Sequence, residues 1–401
     1  MPKKYLEMNV YDSAIERLDL VCKDFDRICV SFSGGKDSSV LLHLAMAAAI
    51  KHDKLPVHVL FIDLEGQYKV TIEHMEEMLD MYKGKIVTHW VCLPLNMRNA
   101  VSSFDPHWCC WEPGVEWVRE LPKHDGVVSD QNYYPFYKYR MEFEDFTPAF
   151  AKWVAGDEKM ACLVGIRSDE SLNRFRTIVK ERKSRYKNKG WTTRITDNIY
   201  NAYPIYDWRV EDVWAYMGKS GLPYNTLYDK MYLAGKSLSE MRICQPYGDD
   251  QRKGLNLFHQ IEPETWFRVV QRVSGANYGS IYCGNKMLGY HRGMGLPEGH
   301  TWESYTKLLL DSMPKKSRDH FSKKFEVFIR WWSEHDYEVI PDESDRKLEA
   351  SKKAPSWRRL AMCLLKNDFW CKSISFGMTK DLYGKYYRPM DGAIKEKYKD
   401  I

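Results

Sequence analysis

Apolar residues come in short unbroken runs through the first 170 positions and in helical stripes beyond about 240. The runs at 27–32, 57–63, 85–93 and 160–166 are rich in Val, Ile, Leu, Phe and Cys and too short for helices, so they predict buried strands. Between them, 5–24, 40–50, 68–83 and 142–155 carry helical spacing, with Ile15, Leu18 and Val21 marking the first stripe. This β-α-β-α-β rhythm predicts an α/β fold with a doubly wound parallel sheet. Ligands of such sheets lie off the carboxyl ends of the strands. Ser33 and Asp63 fall at two such ends, which predicts one shared crevice.

The rhythm breaks over 94–140, where Pro, Trp, Tyr and Cys dominate, and an elaborated loop region is expected there. A basic stretch fills 167–194, and a helix is expected over 210–217. Helical patterns then return at 262–274, 301–311 and 317–335. Residues 341–401 are charged and punctuated, with no clear pattern. No internal repeat is present. The expected organisation is an α/β domain over 1–235 and a mainly helical domain over 236–401.

Composition narrows the class. A chain of 401 residues with 44% hydrophobic and 29% charged residues suits a globular protein with a large core. No apolar run reaches membrane-span length and Met1–Glu7 lacks a signal-peptide core, so a cytoplasmic location is expected. Ten Cys without disulfide-framework spacing fit a reducing compartment. A net charge of +5 is too small to establish a nucleic-acid partner. The 14 Trp and 26 Tyr fit stacking surfaces or an aromatic-rich core equally.

The densest chemistry lies in Ser33-Gly34-Gly35-Lys36-Asp37-Ser38-Ser39, which follows Ser31 and Phe32 at the end of the first strand and precedes a helix. Glycines permit positive φ and close backbone approach. Helix-start N–H groups then converge on one spot with the positive end of the helix dipole behind them. Ser33, Ser38 and Ser39 add hydroxyls and Lys36 adds a cation. This is not a Walker A loop, because Gly34 and Gly35 directly precede Lys36. The other reading is an ordinary Gly-rich strand-to-helix turn. The spacing resembles the pyrophosphate loop (PP-loop) of the ATP pyrophosphatase superfamily, which implies a grip on the β,γ-phosphates and cleavage between α and β.

Asp63 ends the second strand, where a carboxylate suits Mg²⁺ on the phosphates or a ribose hydroxyl; Asp37 is its rival for the ion, and a turn or N-cap role is the alternative for Asp63. A second block, Gly165-Ile166-Arg167-Ser168-Asp169-Glu170, continues to Arg174. Arg167 and Arg174 are suited to clamp phosphate, with Glu170 fixing one of them. A solvated, salt-bridged helix start explains the same residues.

Together with Tyr203–Trp214 and Gly221–Asp229, these blocks come in the order found in the phosphoadenosine-phosphosulfate (PAPS) reductase family, which this chain resembles over about 20–235. The resemblance implies an adenine nucleotide alpha hydrolase-like fold and either ATP or PAPS as nucleotide. It implies that the span Ser31, Phe32, Ser33, Gly34, Gly35, Lys36, Asp37, Ser38 and Ser39 holds pyrophosphate or phosphosulfate. Asp63 then lies near the adenosine, and Gly165, Ile166, Arg167, Glu170 and Arg174 line the phosphates. Lys36, Asp37, Arg167 and Arg174 form the expected catalytic set, with Mg²⁺ on Asp37 and Asp63. Trp208 and Trp214 are expected to pack.

Two departures bear on the chemistry. Thiol-dependent PAPS reductases carry a Glu-Cys-Gly-Leu-His segment, whereas the last Cys here is Cys371, in Phe369-Trp370-Cys371-Lys372. Iron–sulfur reductases pair Cys-Cys with a later Cys-x-x-Cys; Cys109-Cys110 is present and Cys-x-x-Cys is not. No complete zinc or iron–sulfur site is therefore expected. Cys109 and Cys110 remain open as a nucleophile, as ligands with Cys244, Cys283 or His291, or as buried apolar residues.

The stretch 167–194 holds ten basic residues against Asp169, Glu170 and Glu181, a net of +7. Its Lys180, Arg182, Lys183 and Arg185, with Tyr186 and Trp191 among them, suit a nucleic-acid backbone with base stacking, or a solvated lid. The part beyond Arg242, with Asp249, Asp250 and Arg252, resembles the extension of the immunoglobulin-binding-regulator A-like subgroup, which implies a ParB-like protein partner. The expected function is an enzyme cleaving ATP between α and β phosphates to adenylate an acceptor. Sulfonucleotide reduction and a nucleotide-sensing regulator acting with a ParB-like partner or DNA are the alternatives.

Overall fold

β1 (Arg27–Ser31) takes the middle of the main sheet because its three central residues bury fully on both faces. The structure is a computed structural model that describes residues 7–102, 104–171, 174, 175, 178, 184–238, 240–243, 247, 248, 255–277, 296–335, 337–366 and 368–375. β2 (Val57–Ile62) and then β3 (Ile86–Val91) pair in parallel on one side of β1, and β7 (Met160–Val164) pairs in parallel on the other. Short strands β4 (Leu95–Arg98), β5 (His107–Cys110) and β6 (Val127–Val128) lie in the region expected to be loop, and β6 extends the sheet beyond β3. β8 (Thr192–Arg194) and β9 (Ile199–Ala202) complete the order β6-β3-β2-β1-β7-β9-β8, with β8 alone antiparallel. The mostly parallel, doubly wound sheet agrees with the sequence expectation. The β8–β9 hairpin, which begins at the end of the basic stretch, was not foreseen.

Helices cover the sheet. α1 (Val10–Asp24) is capped by Asn9 and buries Ala14, Leu18, Val21 and Cys22, one stripe at helical spacing. α2 (Lys36–Lys51) begins four residues earlier than the apolar run suggests, because Lys36 to Ser39 already form its first turn. It is buried over most of its circumference, with α1 and the helix Val210–Ser220 against it. α3 (Lys69–Met81) and α4 (Phe143–Ala155) follow β2 and β6.

Chain contacts divide the protein into two compact units. The first comprises Met1–Met97, Cys109–Pro246 and Leu257–Arg272, and holds the seven-stranded sheet. The second comprises Arg98–Trp108, Tyr247–Asn256 and Val273–Ile401. Its described helices include Trp302–Asp311, Lys315–Ser333, Arg346–Ala350 and Trp357–Leu365. The last two fall where the sequence showed no pattern. Phe321, Phe325, Phe328, Trp331, Trp332, Leu360 and Leu364 form its core. Among the described residues no helix is long and apolar enough to cross a membrane.

Candidate functional site at the strand switch point

The chain winds from β1 outward through β2 and β3, then returns to lay β7 on the opposite side of β1. The switch point is thus between β1 and β7, where Ser31 stands in register with Val164. The Ser33 loop leaves one strand there and Gly165-Ile166-Arg167 leaves the other.

Gly34 adopts φ +70°, the left-handed region that favours glycine, whereas Gly35 has an ordinary φ of −84° and is the N-cap of α2. Gly35 has no side chain to cap the helix. Asn225, fully buried, donates to the Gly34 carbonyl at 2.9 Å and to Thr71 Oγ1 at 3.0 Å, fixing the turn from outside. Ser38 and Ser39 turn inward: both hydroxyls donate to the Gly35 carbonyl, at 2.9 and 3.1 Å. Ser38 Oγ also receives the Ser33 N–H at 3.2 Å and lies 3.1 Å from Ser33 Oγ. These hydroxyls brace the loop.

Lys36 is buried, which its charge tolerates only with partners. Its ammonium donates to the Met241 carbonyl at 3.2 Å and lies 3.5 Å from Asp37 Oδ2 and 5.2 Å from the Tyr228 ring centre. Its backbone N–H donates to Tyr228 Oη at 2.9 Å, so this helix-start donor is already taken. An ammonium has three protons, and the two oxygens leave one for a further acceptor.

Arg167 comes in from the end of β7. Nε donates to Asp37 Oδ1 and Nη1 to Asp169 Oδ1, each at 2.5 Å. Burial lowers its pKa, but Asp37, Asp169 and Glu170 outweigh that and hold it above the usual arginine value. Gly165 makes the approach possible: a Cβ there would lie 3.1 Å from the Asp37 carbonyl and the Ser38 nitrogen. Glu170 joins Arg242 at 2.7 Å and Arg174 at 3.3 Å, so Arg174, about 40% exposed, stands at the outer edge. Ile166 packs with Ile178 and Tyr203. The structure therefore brings the Ser33–Ser39 loop, Gly165, Arg167, Glu170 and Arg174 to one place.

Asp63 is held differently. Fully buried, it receives the Glu65 N–H at 2.9 Å, Trp90 Nε1 at 2.7 Å and Arg119 Nη2 on both oxygens. Glu65, at φ +60°, receives the N–H groups of Trp111 and Val118 and the guanidinium of Arg272 at 3.1 Å. Two buried carboxylates and two guanidiniums thus close a bracket behind the end of β2. The carboxylates expected to take Mg²⁺ do not fit that ion as they stand: both oxygens of Asp63 are engaged, and those of Asp37 face Arg167 and Lys36. Sequence reasoning passed over Glu65, Arg119, Arg272 and Met241. Asn225 and Tyr228 lie in the quoted Gly221–Asp229 block, but no spacing rule gave them contacts with the loop.

Cys109 and Cys110 are buried. Burial and then Glu112 push the Cys109 thiol up to about 11, and burial drives Cys110 well above the ordinary thiol value. Both thiols donate to backbone carbonyls, Cys110 to those of Leu93 and Leu95 at 3.6 Å. The suggested companions Cys244, Cys283 and His291 lie outside the described residues, as do Asp249, Asp250 and Arg252. In the basic stretch, Arg176, Lys180, Arg182 and Lys183 also lie outside them. Of the rest, Arg185 bonds the Ile178 carbonyl and Lys187 pairs with Asp24 at 2.9 Å, while Tyr186 and Trp191 are buried. Trp208 packs as expected, donating to the Val10 carbonyl at 2.9 Å.

Residues 27–234 match the phosphoadenosine phosphosulfate reductase domain. Residues 235–339 and 335–385 match a domain of unknown function, DUF3440. The chain is similar to the uncharacterized protein YbdN of Escherichia coli (strain K12), 40% identical over 396 residues, which is 98% of this chain and 96% of that one. It is similar to sulfate adenylyltransferase subunit 2 of Pseudomonas entomophila (strain L48), 23% identical over 265 residues, covering 63% of this chain and 73% of the other. Among solved structures, phosphoadenylyl-sulfate reductase from Candida auris in a phosphate complex aligns with TM-score 0.29 at 15% identity, covering 59% of this chain and 96% of that one. Candida glabrata FMN adenylyltransferase with FMN and AMPCPP aligns with TM-score 0.31 at 17% identity, covering 56% and 64%. With the domain match running across more than half of its length, the chain belongs to the phosphoadenosine phosphosulfate reductase domain family.

Proposed function

We propose that this chain binds ATP at the β1–β7 switch point and cleaves it between the α and β phosphates to adenylate an acceptor. One observation carries the reading: Arg167, from the end of one central strand, is pinned by Asp37 and Asp169 beside the first turn of α2, which grows out of the neighbouring strand. A helix start, an ammonium and a guanidinium at one spot favour an oligophosphate.

In this reading the Gly34–Gly35 backbone and the dipole of α2 hold the leaving pyrophosphate. Lys36 and Arg167 neutralise charge that grows as the bond breaks, and Arg174 meets phosphate at the rim. Asp37 and Glu170 position the guanidiniums. Ser31, Phe32, Gly165 and Ile166 set the loop spacing, and Asp63 braces the crevice from behind. No step is assigned to Mg²⁺. The sulfate adenylyltransferase relative supports nucleotidyl transfer. The raised thiols of Cys109 and Cys110 speak against sulfonucleotide reduction through them. We assign nucleotide binding to 1–235. The mainly helical 236–401 is the part that would place the chain in the immunoglobulin-binding-regulator A-like subgroup, with a ParB-like partner.

The test is pyrophosphate release from ATP, with and without cell extract to supply the acceptor. Release that disappears in Lys36→Ala, with ATP binding retained by calorimetry, is expected. Unchanged turnover in Lys36→Ala overturns the reading. ATP or PAPS binding without pyrophosphate favours the reductase or regulator alternatives.

A further inference from the structure

The second unit gathers two thiols and an imidazole around two neighbouring carbonyls. Cys363 lies in the helix Trp357–Leu365 and Cys371 in the turn after it, and both belong to the same apolar core. Cys363 Sγ donates to the Asp368 carbonyl at 3.5 Å, and the Cys371 backbone N–H donates to the same oxygen at 2.8 Å. Cys371 Sγ lies 3.7 Å from the Phe369 carbonyl, which is also 2.7 Å from His320 Nε2. The His320 ring stacks on Phe369 at 3.9 Å and 2°. Cys371 holds φ +52°, a left-handed conformation that side-chain-bearing residues seldom adopt.

We propose that Cys363 and Cys371 are a dithiol–disulfide couple, in which Cys371 attacks a low-molecular-weight disulfide and Cys363 resolves the product. Cys371 retains 7% exposure and Cys363 none, which sets the order of attack. The Cys371 thiolate attacks one sulfur of RS–SR, forming Cys371–S–S–R and expelling RS⁻, which takes up a proton. Cys363 then attacks the Cys371 sulfur, its proton passing to the second departing RS⁻. Two protein thiols are oxidised by two electrons and one small disulfide is reduced to two thiols.

The electrostatics agree with these roles. The neighbouring Cys363 and then His320 hold the Cys371 thiol below the ordinary thiol value, against burial and the charge of Asp368. Cys363, beside that sulfur and buried, moves well above the ordinary thiol value. A low-pKa attacking thiol beside a protonated resolving thiol is the arrangement that exchange chemistry requires.

The experiment equilibrates the full chain, folded, in glutathione buffers of increasing oxidised fraction. Acid quenching, alkylation, trypsin and mass spectrometry follow. Trypsin cuts after Arg359, Lys366 and Lys372, so the disulfide joins peptides 360–366 and 367–372 into one species two hydrogens lighter than their sum. That species should grow with the oxidised fraction and vanish in Cys371→Ser. Cys363→Ser should instead stop at a glutathione adduct on Cys371. In the native protein, iodoacetamide should label Cys371 at least tenfold faster than the buried Cys22. No joined peptide at any ratio, or Cys371 labelled no faster than Cys22, overturns the proposal.

Discussion

Arg167 Nε lies 2.5 Å from Asp37 Oδ1, so the end of β7 is tied to the first turn of α2 across the switch point. The pair is inside the protein, with 4% and 16% of the two side chains exposed. Water does not screen it, and each partner depends on the other for compensation of its charge.

Asp37→Asn keeps the volume and removes the charge, leaving Arg167 with Asp169. The expected cost is about 2 kcal/mol, the scale of one charged hydrogen bond lost in a buried setting. Urea unfolding of the two proteins measures it, and an unchanged midpoint would show that the pair contributes nothing to stability.

Gly165→Ala and Gly218→Ala should move stability in opposite directions. At Gly165 the new methyl meets backbone atoms of Asp37 and Ser38 at 3.1 Å, and overpacking of this kind costs about 1–3 kcal/mol. At Gly218, inside the helix Val210–Ser220, nothing lies within 4 Å. There the gain in helix propensity is up to about 1 kcal/mol. Thermal melts of both variants against the parent give the comparison, and a destabilised Gly218→Ala would contradict the open space.

Arg272→Met leaves Glu65 fully buried with only backbone N–H donors, and should cost about 3 kcal/mol. The double variant Glu65→Gln/Arg272→Met should recover part of the loss, because no charge is then left uncompensated. A double-variant cycle by urea denaturation reads the coupling, and strict additivity would rule it out.

Acid should destabilise the first unit as the pH falls below about 6.5. Burial lowers His43, His74 and His89 to about 4. Between about pH 6.5 and 4 the unfolded chain binds protons that the folded chain refuses, so stability is fully present above 6.5 and falls as pH drops toward 4. One such histidine contributes up to ~3 kcal/mol across that window. His74, bonded through Nε2 to Ser39 Oγ at 3.0 Å, is the one to replace. His74→Gln should flatten the dependence of the urea midpoint between pH 7.5 and 5, and an equal slope in both proteins would refute the assignment.

Four central strands were legible because they read as largely apolar runs: β1, β2 and β7 are buried along most of their length, and β3 over His89–Val91. β8 and β9 were not, since Thr192, Thr193, Arg194, Tyr200 and Asn201 carry no apolar run and gain strand structure only by pairing beside β7. The helix Trp357–Leu365 was missed because Arg358 and Arg359 interrupt its stripe. Arg359 is nonetheless buried, donating to the Ala354 and Ser373 carbonyls over the Phe328 ring.

Local sequence by itself determined β1, β2, β3 and β7, the helices between them and the glycine turn that leaves β1. Those follow from hydrophobic period and backbone sterics, which act between near neighbours along the chain. Only the tertiary structure decided which charges meet. Asp37 with Arg167 are 130 positions apart, Lys36 with Met241 205, and Glu65 with Arg272 207. Such pairing depends on which strand lies beside β1 and on how far each group is withdrawn from water, and neither is a property of local spacing.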